Sequence, residues 1–281
     1  MGFFSGKVAI ITGAGSGIGR ALSRELARRG SHVVISDINK ERIESVGKQI
    51  EESGDKVTTL TLNVSDYEAV KKMVDDTVAE HGRIDYIFNN AGIAVGGEAR
   101  DLTIKDWHDV LDVNLYGVIN GVATAYPIMA KQGFGHIINT ASIEGLAPFP
   151  GTISYVASKY AVVGLSNSLR IEGARLGVKV SAVCPGYIKT AIFEESKMVN
   201  MDRERALDAM TKAPGFTPEE CANVILKGVE RNKAIIPVHW VAYLLWYIAR
   251  LSPRLIMFLM RVFGERMAKE GRLEEDFDPG S

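Results

Sequence analysis

From residue 7 to about residue 190, short apolar runs alternate with longer amphipathic ones. The runs are "KVAIIT", "HVVIS", "VTTLTL", "IDYIFN", "HIINTAS" and "KVSAVCPG". The stretches between them, at 18–29, 40–53, 67–81, 103–132 and 155–176, carry helical spacing of apolar residues. The runs are β-branched and nearly continuous in apolar character, as strands are when both sheet faces are covered. Strand and helix in strict alternation predict parallel βαβ units, and so an α/β doubly wound parallel sheet of Rossmann type. Punctuation agrees with this. Asn39 and Asp66 stand where helix N-caps are needed, and Gly30, Gly54 and Gly82 fall just past helix ends.

The bulk numbers narrow the function. The chain has 281 residues, of which 46% are apolar, so a large core is expected. A net charge of −1 argues against nucleic acid as the main partner. The two cysteines, Cys184 and Cys221, form no disulfide framework, and a reducing, cytoplasmic compartment is the simpler expectation. The N-terminus "MGFFSGKVAIITG" has neither the basic flank nor the apolar length of a secretory signal. The five histidines show no ligand spacing and no HExxH or CxxC occurs, so no metal site is expected.

"TGAGSGIG" (12–19) follows the first strand and opens the first helix. Glycines there let backbone amides approach a pyrophosphate, whose charge the helix N-terminus favours. The loop candidates are Gly13, Ser16, Gly17, Ile18 and Gly19, in a TGxxxGxG spacing rather than GxGxxG. Asp37 ends the second strand 18 residues after Gly19, where a carboxylate can accept hydrogen bonds from adenosine ribose hydroxyls. It would repel a 2′-phosphate, and Gly15, Ser16 and Ile38 offer no compensating cation. NAD is therefore favoured over NADP, with Lys40 and Arg42 nearby keeping NADP open.

Six separated motifs, in order, resemble the short-chain dehydrogenase/reductase family: "TGAGSGIG", "NNAG" (89–92), Asn114 in "VNLYG", Ser142 in "TASIEG", "YVASK" (155–159) and "PGYIKT" (185–190). The resemblance spans residues 5 to about 236. It implies a seven-stranded sheet, a nicotinamide cofactor and a catalytic set of Asn114, Ser142, Tyr155 and Lys159. It also implies that Asn90, Ala91 and Gly92 flank the adenine ribose, with Asn90 bracing the central strands. Pro185, Gly186, Ile188 and Thr190 would hold the nicotinamide end. Asn63 stands where the family commonly has Asp near the adenine amino group, and Val64 would contribute through its backbone. A homodimer or homotetramer through the helices near 103–132 and 155–176 is implied as well.

Tyr155 and Lys159 are four residues apart, one helical turn on one face. A phenol of pKa about 10 is poorly matched to proton transfer at neutral pH. A cation about 4 Å away supplies about 4 kcal/mol at an effective dielectric near 20. At about 1.36 kcal/mol per unit, that predicts a Tyr155 pKa drawn down by about 3 units, towards 7. Lys159 would also hold the ribose. Ser142, at a strand end, would position the substrate oxygen, and Asn114 would hold a relay water. The expected reaction interconverts a secondary alcohol and a ketone. A non-catalytic dinucleotide-binding scaffold is the alternative, and the intact Asn–Ser–Tyr–Lys set speaks against it.

Residues 187–213 are expected to cover the substrate, with Glu144, Phe149, Pro150 and Phe193 as wall candidates. The dinucleotide-binding and catalytic domain is assigned to 1–236. Residues 237–281 form an extension of two apolar helices, meeting at Ser252–Pro253, and an acidic tail. Arg250, Pro253 and Arg254 interrupt the apolar run before it is long enough to span a bilayer. Three readings stand open for this pair: burial against the domain or a partner subunit, seating in a membrane interface, and a greasy entrance for substrate. Residues 231–264 carry five basic side chains and no acidic one, which suits an anionic surface. All three favour a lipophilic alcohol or ketone.

Overall fold

The computed structural model describes residues 2–211, 215–273 and 278–279. Each of the six apolar runs becomes a strand: β1 (Val8–Thr12), β2 (His32–Asp37), β3 (Val57–Thr61), β4 (Tyr86–Asn89), β6 (Gly135–Thr140) and β7 (Val178–Pro185); a seventh main-sheet strand, β9 (Ile235–Val238), lies beyond them. These pair in the order β3-β2-β1-β4-β6-β7-β9, all parallel. Two short strands, β5 (Val95–Gly96) and β8 (Lys197–Met198), pair apart from the main sheet.

The helices between them cover both faces. α1 (Gly17–Arg28), α2 (Lys40–Glu52) and α9 (Pro218–Glu230) take one face, where Ile11, Ile35, Phe88 and Val183 meet Leu26, Val46 and Ile225. α3 (Tyr67–His81) and α5 (Gly117–Gln132) take the other, where Ile10, Val34, Ile87 and Ile137 meet Val74 and Met129. The two sets alternate along each strand, because successive side chains point to opposite faces. The central strands are thereby wetted on neither side, which is why their runs are so apolar, whereas β3 at the sheet edge is only half-buried. Asn39 accepts from the Arg42 amide at 2.9 Å and Asp66 from the Ala69 amide at 3.1 Å, each cap stabilising its helix by about 1 kcal/mol.

The stretch near 103–132 is not one uniform helix. α4 (Ile104–Leu111) passes through a π-helical turn at Asp112–Tyr116 into α5. α6 (Ile153–Ala174) crosses the same face and follows a 3₁₀ turn at Ile143–Gly145. After β7 come α7 (Ile192–Glu195) and α8 (Arg203–Thr211). After β9, α10 (Trp240–Leu251) and α11 (Pro253–Gly271) form the C-terminal helical pair. Ser252 accepts from the Leu255 amide and Pro253 starts α11. Past α11, Arg272 makes a two-pronged pair with buried Asp101 at 2.7 and 3.0 Å, pinning the end of the pair to the body. No described helix is long and apolar enough to cross a membrane. Residues 274–277, in the acidic tail, and 212–214, at the end of the expected cover, lie outside the described residues.

β1 feeds β2 on one side and has β4 on the other, so the chain's direction of travel across the sheet reverses between β1 and β4. Open α/β sheets bind ligands at such a point, beyond the carboxyl ends of the strands.

Candidate active site

A cleft of about 880 Å³ opens at that edge of the sheet. One end is lined by Asp37, Asn63 and Val64, the other by Ser142, Tyr155 and Lys159. Between them lie Gly13, Ser16, Gly17, Ile18, Asn90, Ala91, Gly92, Pro185, Gly186, Ile188 and Thr190. Two candidates stand elsewhere. Gly19 sits beneath the loop, where a Cβ would come within 2.1 Å of the Gly13 carbonyl oxygen. It supports the loop and does not line the cleft. Asn114 is fully buried behind the cleft wall.

The glycine loop is bare backbone at the start of α1. Gly13 and Gly17 have φ of 63° and 50°, left-handed values that glycine adopts without strain. A Cβ on Gly13 would lie 2.7 Å from Ala91 Cα. The loop therefore presents amides at a helix N-terminus with no side chain in the way, a cradle suited to pyrophosphate. Asn90 holds it in place, donating to the carbonyls of Thr12 and Gly13 at 3.1 and 3.3 Å and accepting from Thr140 at 3.3 Å. This ties β1, β4 and β6 together at their carboxyl ends. Asp37 accepts from the Gly15 amide at 2.9 Å and from the Asn39 amide at 2.9 Å, while α2 is capped by Asn39. Its carboxylate is thus oriented by the loop itself, with its open side towards the cleft. Asn63 accepts from the Ser65 amide, and the Val64 carbonyl accepts from Asn120.

At the other end, Ser142 caps the 3₁₀ turn by accepting from the Glu144 amide at 3.1 Å and lines the cleft together with Tyr155. Lys159 Nζ lies 5.3 Å from the centre of the Tyr155 ring and donates to the Thr140 carbonyl at 2.9 Å. Asn114 accepts from the Ile93 amide at 2.8 Å and donates to the Ile93 carbonyl at 2.9 Å, with Ser158 at 3.3 Å. Its amide is thus committed to holding the wall segment after Gly92.

The electrostatics also overturn an expectation. Burial pushes the Tyr155 phenol up rather than down, Glu144 adds to that, and the Ser142 hydroxyl opposes it. Lys159 is itself pushed down to about 8 by burial. The helical spacing does bring ammonium and ring together. The cost of removing both groups from water outweighs the Coulomb attraction between them. Burial likewise raises Glu144 to about 7, against a hydrogen bond from Thr152 at 2.6 Å, and raises the Cys184 thiol to about 12.

Of the wall candidates, Glu144 and Phe149 line the cleft. Pro150 packs instead beside Gly264 of α11, and the Phe193 side chain lies outside the described residues. From the expected cover, Tyr187, Ile192, Glu195 and Ser196 line the cleft, and Glu195 meets Arg42 at 2.6 Å across its mouth. The two partners are 153 residues apart, so nothing local announced the pair. Val241 and Leu245 of α10 and His239 before it also line the cleft. His239 has φ 81°, a strained value for a side chain with a Cβ, and no glycine marked the position. His81 ends α3. It stacks on His32 with ring centres 4.1 Å apart, at the opposite edge of the sheet, and with Glu80 it gathers three potential ligand atoms within 4.8 Å.

A family model described as short chain dehydrogenase matches residues 7–200. The 3-oxoacyl-(acyl-carrier-protein) reductase FabG of Thermotoga maritima is 40% identical over 221 residues, 79% of this chain and 89% of that protein. A cyclohexanol dehydrogenase of an Acinetobacter species is 39% identical over 228 residues, 79% of this chain and 87% of that one. A short chain dehydrogenase/reductase from Burkholderia phymatum, solved in complex with NAD, superimposes with a TM-score of 0.79 at 28% identity, covering 99% of this chain and all of that one.

Proposed function

Because the chain belongs to the short-chain dehydrogenase/reductase family, we propose that it is an NAD-dependent oxidoreductase interconverting a lipophilic secondary alcohol and its ketone. One observation carries the reading: Ser142, Tyr155 and Lys159 share one end of a cleft whose other end holds Asp37. When bound, a nicotinamide dinucleotide supplies the hydride acceptor or donor. The loop amides and Asp37 hold its phosphate and ribose ends, and Lys159 is the cation available to the second ribose.

The chain's own residues handle the proton. Ser142 holds the substrate oxygen beside Tyr155. Burial and Glu144 keep the phenol protonated, which suits it to donate to the oxygen of a ketone undergoing reduction. In the oxidative direction the phenol must first lose that proton. Alcohol oxidation is therefore favoured by alkaline pH.

The Asp37 carboxylate supports NAD, since it would face a 2′-phosphate, and Arg42 is already paired with Glu195. Ile93, Phe149, Ile192, Val241 and Leu245 give the substrate end an apolar wall and support a lipophilic substrate. Exposed Ile104, Tyr116, Tyr160 and Ile171, on or between α4 and α6, support a homodimer or homotetramer across those helices.

The test follows absorbance at the reduced-nicotinamide band across a panel of alcohols and ketones. Tyr155→Phe should lose about 10²- to 10⁴-fold in turnover, while NAD still raises its melting temperature. Equal rates in the two proteins would end the reading.

A further inference from the structure

The C-terminal helical pair has two unlike sides. On α10, Trp240, Leu244, Tyr247 and Leu251 are exposed, Leu251 to 83%. Their spacing of four, three and four residues makes them one stripe on a helix. On α11, Leu255, Phe258, Leu259 and Val262 repeat the pattern at three, four and seven residues from the first. The inner side is ordinary core: Ala242 and Ile256 are buried, and Val241 and Leu245 line the cleft.

The outward stripes are not loose ends. The Arg272–Asp101 pair fixes the end of α11, and Pro150 lies against Gly264. Exposed Arg250, Arg254 and Arg261 flank the stripes, Arg250 lying over the Trp246 ring at 5.5 Å. From 240 to 264 the helical pair carries Arg250, Arg254 and Arg261 and no acidic residue, and Glu265 on the next turn pairs with Arg261 at 2.8 Å. Exposed Arg250 and Arg254 thus put positive charge beside the exposed apolar surface.

We propose that this face seats in an anionic lipid bilayer, with both helices lying in the interface plane. Apolar stripes enter the acyl boundary, arginines meet the headgroup charge, and Trp240 and Tyr247 sit at the depth that amphipathic aromatic rings prefer. The surface potential of an anionic leaflet adds attraction for each nearby basic side chain. Seating brings the Val241–Leu245 wall of the cleft close to the lipid. That a lipophilic alcohol reaches the cleft from there rests on the proposed function; the docking itself does not.

The experiment is flotation of the full-length protein with vesicles of phosphatidylcholine, with and without phosphatidylglycerol, at low and high salt. Binding should require the anionic lipid and weaken as salt screens it. Lipids brominated along their chains should quench the tryptophan emission. The double variant Leu251→Glu, Phe258→Glu should stay in solution while keeping its NAD-induced melting shift, which shows that the body is folded. With a lipophilic alcohol presented in vesicles, the variant should show a raised KM and an unchanged kcat. Absence of flotation by the wild-type protein overturns the proposal. So does a fall in oligomer size on making the double variant without lipid, which would assign the face to a second copy of the chain. Flotation needs no turnover, so failure of the alcohol–ketone reading leaves this result standing.

Discussion

Lys159 donates to the carbonyl oxygen of Thr140 at 2.9 Å, joining the first turns of α6 to the carboxyl end of β6. The ammonium is only 2% exposed, and burial holds it at about 8 rather than its ordinary 10.5. One carbonyl does not replace its lost water.

This relationship makes a stability prediction. Between about 8 and 10.5 the unfolded chain binds a proton that the folded chain has released, so stability rises with pH across that window. Below about 8 the full cost of the buried charge is present. At about 1.36 kcal/mol per unit, that cost is at most about 3 kcal/mol. Lys159→Met should be more stable than wild type at neutral pH, with the gap closing towards pH 10.5. Parallel melting curves across the range would refute this.

Glu144 gives the opposite slope lower down. Its folded value is raised from 4.5 to about 7, so there the folded chain holds a proton the unfolded chain has lost. Its contribution falls as pH rises through that window. Glu144→Gln keeps an acceptor for Thr152 and should remove the slope, gaining on wild type as pH passes from 5 to 7. The same change removes a carboxylate that pushes the Tyr155 phenol up, so the pH profile of alcohol oxidation should move to lower pH. An unmoved profile would separate Glu144 from the proton chemistry.

Asp37 is oriented by Gly15 and Asn39, with its remaining acceptor capacity towards the cleft. Losing hydrogen bonds to a charged group costs about 1.5–3 kcal/mol. Asp37→Ser should therefore raise KM for NAD about 10- to 100-fold and narrow the gap between NAD and NADP. A preserved ratio of the two kcat/KM values would move discrimination elsewhere.

Gly19 tests packing against propensity. Within a helix, alanine is favoured over glycine by about 1 kcal/mol. Here a Cβ would meet the Gly13 carbonyl oxygen at 2.1 Å and the Asn90 amide nitrogen at 2.7 Å. Overpacking costs about 1–3 kcal/mol, so Gly19→Ala should destabilise and weaken NAD binding together. Thermal melts with and without NAD measure both; a stabilised variant would mean that the loop yields easily.

The sequence by itself determined the strands, the helices, their caps and the parallel sheet. These follow from local rules: the period of apolar residues, the need for a left-handed residue at a helix end, and the constraint that βαβ units place on strand direction. It also marked the residues that the cleft gathers from β1, β2, β4, β6, α6 and β7, because a tight glycine loop or a Tyr–Lys turn is written in adjacent positions. Tertiary structure alone decided that Gly19 supports the loop from below and that Asn114, in a π turn, braces Ile93. It alone decided that Glu195 crosses the cleft mouth to Arg42, and that Val241 and Leu245 arrive from the C-terminus to line the substrate end. It also reversed the expected shift at Tyr155. Spacing fixes how far one group stands from another along a helix, but desolvation depends on everything packed around both, and that neighbourhood is assembled from the whole length of the chain.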